Sequence, residues 1–383
     1  MCGYAWLTAA FCLVAVGMTL STTSAQQIGV WIGTETGRGS DSRGIYFAQL
    51  DLQTGQIGRT SLAAEVEGPG FVARHPKLPV LYATATDDGR HGVAAYQIVG
   101  AQGQPTSLRR LSFVEIGGGR GTHVSLSQSC KYLFSAQYSG GTVASFELAD
   151  DGSITRRVSL IEHQGGSKVV ADRQNEPHPH YISTSPDDQF VFVPDLGLDQ
   201  VVVYRLDASS GTLVPSGAAD MPPGGGPRHM KFTDDGKFAY VLNELELSVS
   251  VCRYDAESGQ LTVIETVPTL SPEQRQHERF NSAAEIRIHP SGRFVYASSR
   301  GHDSITVFER DPQSGRLTQV QCEPIRGSFP RNFSLTPDGE WLVAGGQLSN
   351  TLSVFAVDPE TGRLRYTQQM VNVPSPICIA FDE

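Results

Sequence analysis

The sequence has no run of basic residues. Its 30 Lys and Arg are outnumbered by 40 Asp and Glu, which gives a formal charge of −10 over 383 residues. Binding a phosphate backbone takes clustered cations, so nucleic acid is not an expected partner. Helical 3.6-residue periodicity is almost absent, which leaves strands as the building element. There is no Gly-x-Ser-x-Gly elbow, P-loop, Rossmann fingerprint or His-Glu-x-x-His, so the common serine hydrolase, nucleotide and zinc-protease chemistries are not expected. Cysteine is sparse. Beyond residue 25 only Cys130, Cys252, Cys322 and Cys378 occur, far apart and without a Cys-x-x-Cys pair. They read as four buried thiols. No stretch after Leu20 is long and apolar enough to span a bilayer.

Charge is also missing from the N-terminus. Residues 1–25 contain no Asp, Glu, Lys or Arg, and an apolar stretch runs from Ala5 to Leu20. Thr23-Ser24-Ala25 place small residues before a cut at Gln26. This pattern predicts a secretory signal peptide over residues 1–25, although its first residues lack the usual Lys or Arg. Residues 26–383 are then one exported domain, periplasmic or extracellular, with no membrane contact after cleavage. A cytoplasmic protein with a mis-assigned start is the alternative.

What is present is a repeat. An apolar run, an Asp and then Gly-x-Leu or Gly-x-Ile recur, as in Tyr204…Asp207…Gly211-Thr212-Leu213 and Phe355…Asp358…Gly362-Arg363-Leu364. Seven copies place the glycine at 55, 103, 152, 211, 259, 315 and 362, the copy at Tyr96 to Gly103 being degenerate. A period near 50 built of strand-like units is the signature of a β-propeller. Between the copies lie tight turns followed by apolar runs, such as Asp234-Asp235-Gly236-Lys237 before Phe238-Ala239-Tyr240-Val241. Each repeat reads as four antiparallel strands, A to D. The chain begins at a B-like strand (Gly29 to Thr34) and ends at an A-like one (Ile377 to Phe381), so one blade is shared by both ends. The predicted fold is all-β, a seven-bladed propeller closed by its termini.

In such blades the A–B and C–D turns lie on one face and the B–C and D–A loops on the other. The A–B and C–D turns carry generic turn residues. The other face gathers Gly117 to His123, Arg173 to His180, Gly224 to His229, Ser282 to Glu285 and Phe329 to Arg331 from D–A loops. Its B–C loops add Gln137-Tyr138, Asp195 to Gly197, Asn243-Glu244, Arg300-Gly301 and Gln347. Insertions near residues 160–177 and 267–282 fall on this same face, where loops on a rigid scaffold tend to carry function. His178 and His180, two apart at a strand entry, point the same way. They form a metal half-site completed by Asp195 or Glu244, or one catalytic histidine with a structural neighbour. Pro227-Arg228-His229 after three glycines suggests a fixed guanidinium, and Glu244 is an acid/base or the ion-pair partner of Arg228.

These phrases resemble the seven-bladed propeller lactonase family, typified by one class of bacterial 6-phosphogluconolactonase and related to a fungal carboxymuconate-lactonizing enzyme. The resemblance covers nearly all of residues 28–383. It is carried by Gly33-Thr34-x-Thr36, Arg173-Gln174-x-x-Pro177-His178-x-His180, Asp195-Leu196-Gly197-x-Asp199, Gly226-Pro227-Arg228-His229, Leu242-Asn243-Glu244-Leu245 and Ser298-Ser299-Arg300-Gly301. It implies His180, Arg228, Glu244 and Arg300 as catalytic residues. His123, His178, His229, Asn243, Glu285 and Arg331 are expected to bind substrate. Glu35 stands where the family often has Tyr, Ser299 where it often has Asn, and the loop from Arg120 to His123 is altered. The implied activity is hydrolysis of a small sugar-acid lactone, 6-phosphogluconolactone first, by a monomer with no metal or organic cofactor. A muconate-type cycloisomerase and a non-catalytic exported binding propeller are the alternatives.

Overall fold

The computed structural model describes residues 1–3, 26–37, 39–100, 106–276 and 281–382. All but the first three residues of the predicted signal peptide, and Gly103 of the degenerate repeat, lie outside them. Among the described residues, no helix is long and apolar enough to cross a membrane. The strands form seven antiparallel sheets of four. Six follow chain order. In the seventh, Pro376–Phe381 pairs with Gln27–Thr34, followed by Gly44–Asp51 and Ser61–Glu65. Val30 lies opposite Phe381 and Ile32 opposite Ile379, so the two ends of the chain close the ring in register.

Burial follows distance from the axis. Every residue of the B strands Phe190–Asp195, Phe238–Asn243 and Phe294–Arg300 is buried, because neighbouring blades cover both faces. Most residues of the D strand Leu213–Asp220 are exposed. The repeat phrase has two physical causes. Its Asp closes the C–D turn, as where Asp255 Oδ1 accepts the backbone N–H of Glu257 and Ser258, and Asp311 Oδ1 those of Gln313 and Ser314. Its Gly lets that turn press on the aromatic that opens strand B of the preceding blade. A Cβ on Gly259 would sit 2.6 Å from the Phe190 ring, and one on Gly315 would sit 2.5 Å from Phe238. Both glycines also have φ near +75° (75° and 74°), which L side chains avoid.

Both insertions lie between D and A strands. The second holds the short helix Pro272–Gln276. The reading of four buried thiols holds for Cys252 and Cys378 only. Cys130 sits in an exposed A–B turn and Cys322 on an outer D strand, where cover is partial.

Candidate active site

One position recurs at the top of the innermost strands. In Pro227–Phe232 the register slips by one residue between Pro227 and His229, and in Pro330–Leu335 between Pro330 and Asn332. The extra residues are Arg228 and Arg331. Pro179 pairs with Asp195 while Ser183 pairs with Phe192, the same one-residue slip, and His180 falls within it. Ile377 occupies the slip in Pro376–Phe381. A β-bulge re-aims the extra side chain, and all four of these residues line one cavity of about 310 Å³. A second position is the end of strand B, the last strand residue at Arg300 and the first residue beyond the strand at Glu35, Tyr138 and Glu244. It supplies Glu35, Tyr138, Glu244 and Arg300 to the same cavity.

Five guanidinium groups (Arg120, Arg173, Arg228, Arg300 and Arg331) meet two carboxylates (Glu35 and Glu244) in this cavity. Buried Glu244 gathers three of them. Arg173 Nη2 lies 2.7 Å from Oε1, while Arg228 Nε at 2.9 Å and Arg300 Nη2 at 3.0 Å share Oε2. Burial pushes the Glu244 carboxyl up, but Arg300, Arg228 and Arg173 outweigh it and hold it down to about 2. Glu35 takes Arg120 at 2.8 Å, so two of the departures from the family pattern pair with each other. Arg331 has no carboxylate partner among the described residues. Burial, then Arg300, lowers it to about 10, so it remains a cation at neutral pH.

Arg228 is fixed from three sides. It donates from Nε to Glu244 and from Nη1 to the Ala284 carbonyl and, at 3.1 Å, to His229 Nε2. Because an arginine cannot accept, His229 carries its proton on Nδ1, which faces Glu285 Oε1 at 3.2 Å. Burial holds His229 at about 3 against the pull of Glu285. His180 is likewise held well below the usual histidine range, by burial first and then by Arg228, His229 and Arg331. It is therefore neutral, with Nδ1 buried and unpartnered among the described residues.

Of the expected residues, the structure brings His180, Arg228, Glu244, Arg300, His229 and Arg331 together around the cavity and leaves four outside its lining. His178 stacks on Tyr138 at 4.2 Å and hydrogen-bonds its carbonyl, so only His180 of the histidine pair lines the cavity. Asp195 is not turned toward them as a ligand. Its oxygens accept from His163 at 2.6 Å and from the backbone N–H of His178, Gly197 and Leu198. Asn243 points into its own blade, donating to Ser248 and Ser250. His123 and Glu285 lie one layer deeper. The His123 ring packs 4.2 Å from both Phe71 and Tyr181, and these rings with His229 form the cavity floor. Glu285 accepts from Asn332 beneath His229. Sequence reasoning passed over Arg173, Tyr138, Arg120 and Glu35 as site residues. The insertion that carries Arg173 and the B–C position that carries Tyr138 and Glu35 were the available signals.

Residues 29–381 match the family described as lactonase, 7-bladed beta-propeller. The 6-phosphogluconolactonase of Bacillus subtilis is 36% identical over 351 residues, which cover 92% of this chain and 97% of that protein. The periplasmic gluconolactonase of Pseudomonas aeruginosa superposes with a TM-score of 0.84 at 30% identity, over 94% of this chain and 99% of that one. A protein from Lactobacillus plantarum does so with a TM-score of 0.86 at 30% identity, over 94% and 100%. The closed ring of seven blades, the bulged residues at its mouth and these likenesses agree: the chain belongs to the seven-bladed β-propeller lactonase family.

Proposed function

We propose that the protein hydrolyses an anionic sugar-acid lactone, with 6-phosphogluconolactone the leading substrate. The observation that carries this reading is the cationic surplus of the cavity, above all Arg331, a charged guanidinium lining the pocket without a carboxylate. A phosphoryl group is the counter-charge such a site lacks.

Glu244, held ionised by three arginines, is not the base; it clamps the arginines in place. His180 is neutral and takes the proton as water attacks the lactone carbonyl. Arg228 and Arg300 stabilise the oxyanion that develops on the carbonyl oxygen. The ring C–O bond then breaks, and the departing ring oxygen recovers the proton from His180, leaving the open hydroxy acid. A phosphoryl group on Arg331 would cancel part of the positive field that depresses His180 and so strengthen it as a base.

A second reading is supported by the charge-free apolar segment over residues 1–25 and by the periplasmic relative. In it the protein is exported and opens an unphosphorylated gluconolactone. Purified residues 26–383 assayed on both lactones, against buffer-only controls, separate the two. Faster turnover of the phosphorylated lactone supports the first reading, turnover of the plain lactone alone supports the second, and turnover of neither refutes both.

A further inference from the structure

The propeller axis holds a second cavity, of about 640 Å³, on the opposite side of the aromatic floor. Phe71 borders both cavities, and the A–B turn residues Pro290 and Pro337 line the second. Strand register identifies one equivalent position per blade, all but Ser183 in its wall: the residues paired with Tyr82, Phe134, Phe192, Tyr240, Tyr296, Val343 and Trp31. Five of these are small: Ala73, Ser125, Ser183, Ser334 and Ala380. The other two, in adjacent blades, are Lys231 and Arg287. A ring of small residues interrupted by two neighbouring cations is not what packing alone requires, since Ala or Ser fills the same place elsewhere.

The cavity lining contains no Asp or Glu. Of its cations, Arg74 is matched by Asp382 at 3.0 Å. Lys231 Nζ donates to the Tyr181 hydroxyl at 3.0 Å and has no carboxylate partner among the described residues. Arg287 pairs through Nε with Glu285 Oε1 at 3.6 Å, a carboxylate outside the cavity lining, and donates from the same nitrogen to the Phe333 carbonyl. One cation without a carboxylate partner and a second whose carboxylate lies outside the lining thus face this cavity in a chain of net charge −10.

We infer that this rear cavity binds a small oxyanion, a phosphoryl or carboxylate group on a short carbon skeleton, held by Lys231 and Arg287 with Ser334 as an additional donor. The apolar walls, including Leu126 and Phe381, suit the attached carbons. The inference does not rest on the lactonase reading, because the floor separates this space from the front pocket.

The test is thermal unfolding of the purified protein in phosphate against chloride at equal ionic strength, since a ligand of the native state raises Tm by mass action. Phosphate is expected to raise the Tm of the native protein, and Lys231→Gln/Arg287→Gln is expected to lose at least half of that rise. An equal rise in the double variant overturns the inference, as does no rise above chloride in the native protein. If the double variant does not fold, Lys231→Gln alone serves, because its amide can still donate to Tyr181, and it too is expected to lose part of the rise. Succinate in place of phosphate distinguishes the sources. A rise with phosphate only assigns the site to phosphoryl groups, and a rise with both assigns it to oxyanions in general.

Discussion

Three histidines, His123, His180 and His229, are buried at the floor and wall of the front cavity and are held neutral there, each first by burial. In the unfolded chain they regain a pKa near 6.5. Below that pH the unfolded state binds protons that the native state refuses, so stability is full above about pH 6.5 and falls as the pH drops. Between pH 7 and pH 5 each neutral histidine costs about 2 kcal/mol, so the three together cost about 6 kcal/mol. His75 and His289, lowered less completely, act in the same direction. Glu244 adds nothing in this window. Its depressed pKa contributes stability above about 4.5 that is lost only as the pH falls toward 2. Urea unfolding at pH 7, 6 and 5 measures the effect. His123→Phe keeps an aromatic between Phe71 and Tyr181 and removes one of the three titrations, so its loss of stability over the same range should be about 4 kcal/mol. A native loss below about 2 kcal/mol, or an unchanged loss in His123→Phe, would refute the reasoning.

Four further outcomes follow from the site and the blades. Arg331→Gln should raise KM for a phosphorylated lactone about 10- to 100-fold, the worth of a charge-assisted hydrogen bond, with kcat changed far less. Arg228→Lys keeps the charge but loses the fixed fork, and kcat should fall about 100-fold in steady-state assays. Glu244→Gln leaves Arg173, Arg228 and Arg300 without their shared carboxylate and should cost about 3–5 kcal/mol in urea unfolding. Gly315→Ala, at φ 74° with its methyl 2.5 Å from Phe238, should cost about 3 kcal/mol, whereas Gly37→Ala, at φ 112° with nothing within 4 Å, should cost only about 1 kcal/mol.

The ring of blades was legible in the sequence because each recurring residue performs one local task. Asp255 and its equivalents close turns, and Gly259 and its equivalents admit an aromatic ring. The shared blade was legible for the same reason, since the chain begins on a B strand and ends on an A strand. The front cavity was legible in part. His180, Arg228 and Arg331 stand beside prolines that mark the strand entries, and the bulges turn them inward. Depth along the axis was not legible. A strand alternates its faces with period two, which tells that His123 or Glu285 faces the channel but not on which side of the floor it sits. Asn243 and Glu244 are adjacent, yet the end of the strand turns one into the blade and the other into the cavity. Arg173 lies in an irregular insertion, where no periodicity predicts which side chain folds back onto Glu244.

The pairing of Pro376–Phe381 with Gln27–Thr34 has a consequence for biosynthesis. The innermost strand of the first blade is made after the strands of all six other blades, so no nascent chain can close the circle before translation reaches it. That strand also contributes Ile377 to the front cavity and Cys378 to the rear one. A polypeptide stopped before residue 376 lacks a latch, a piece of each cavity and the cover for one edge of its first sheet. Closure of the ring and completion of both cavities are therefore one event.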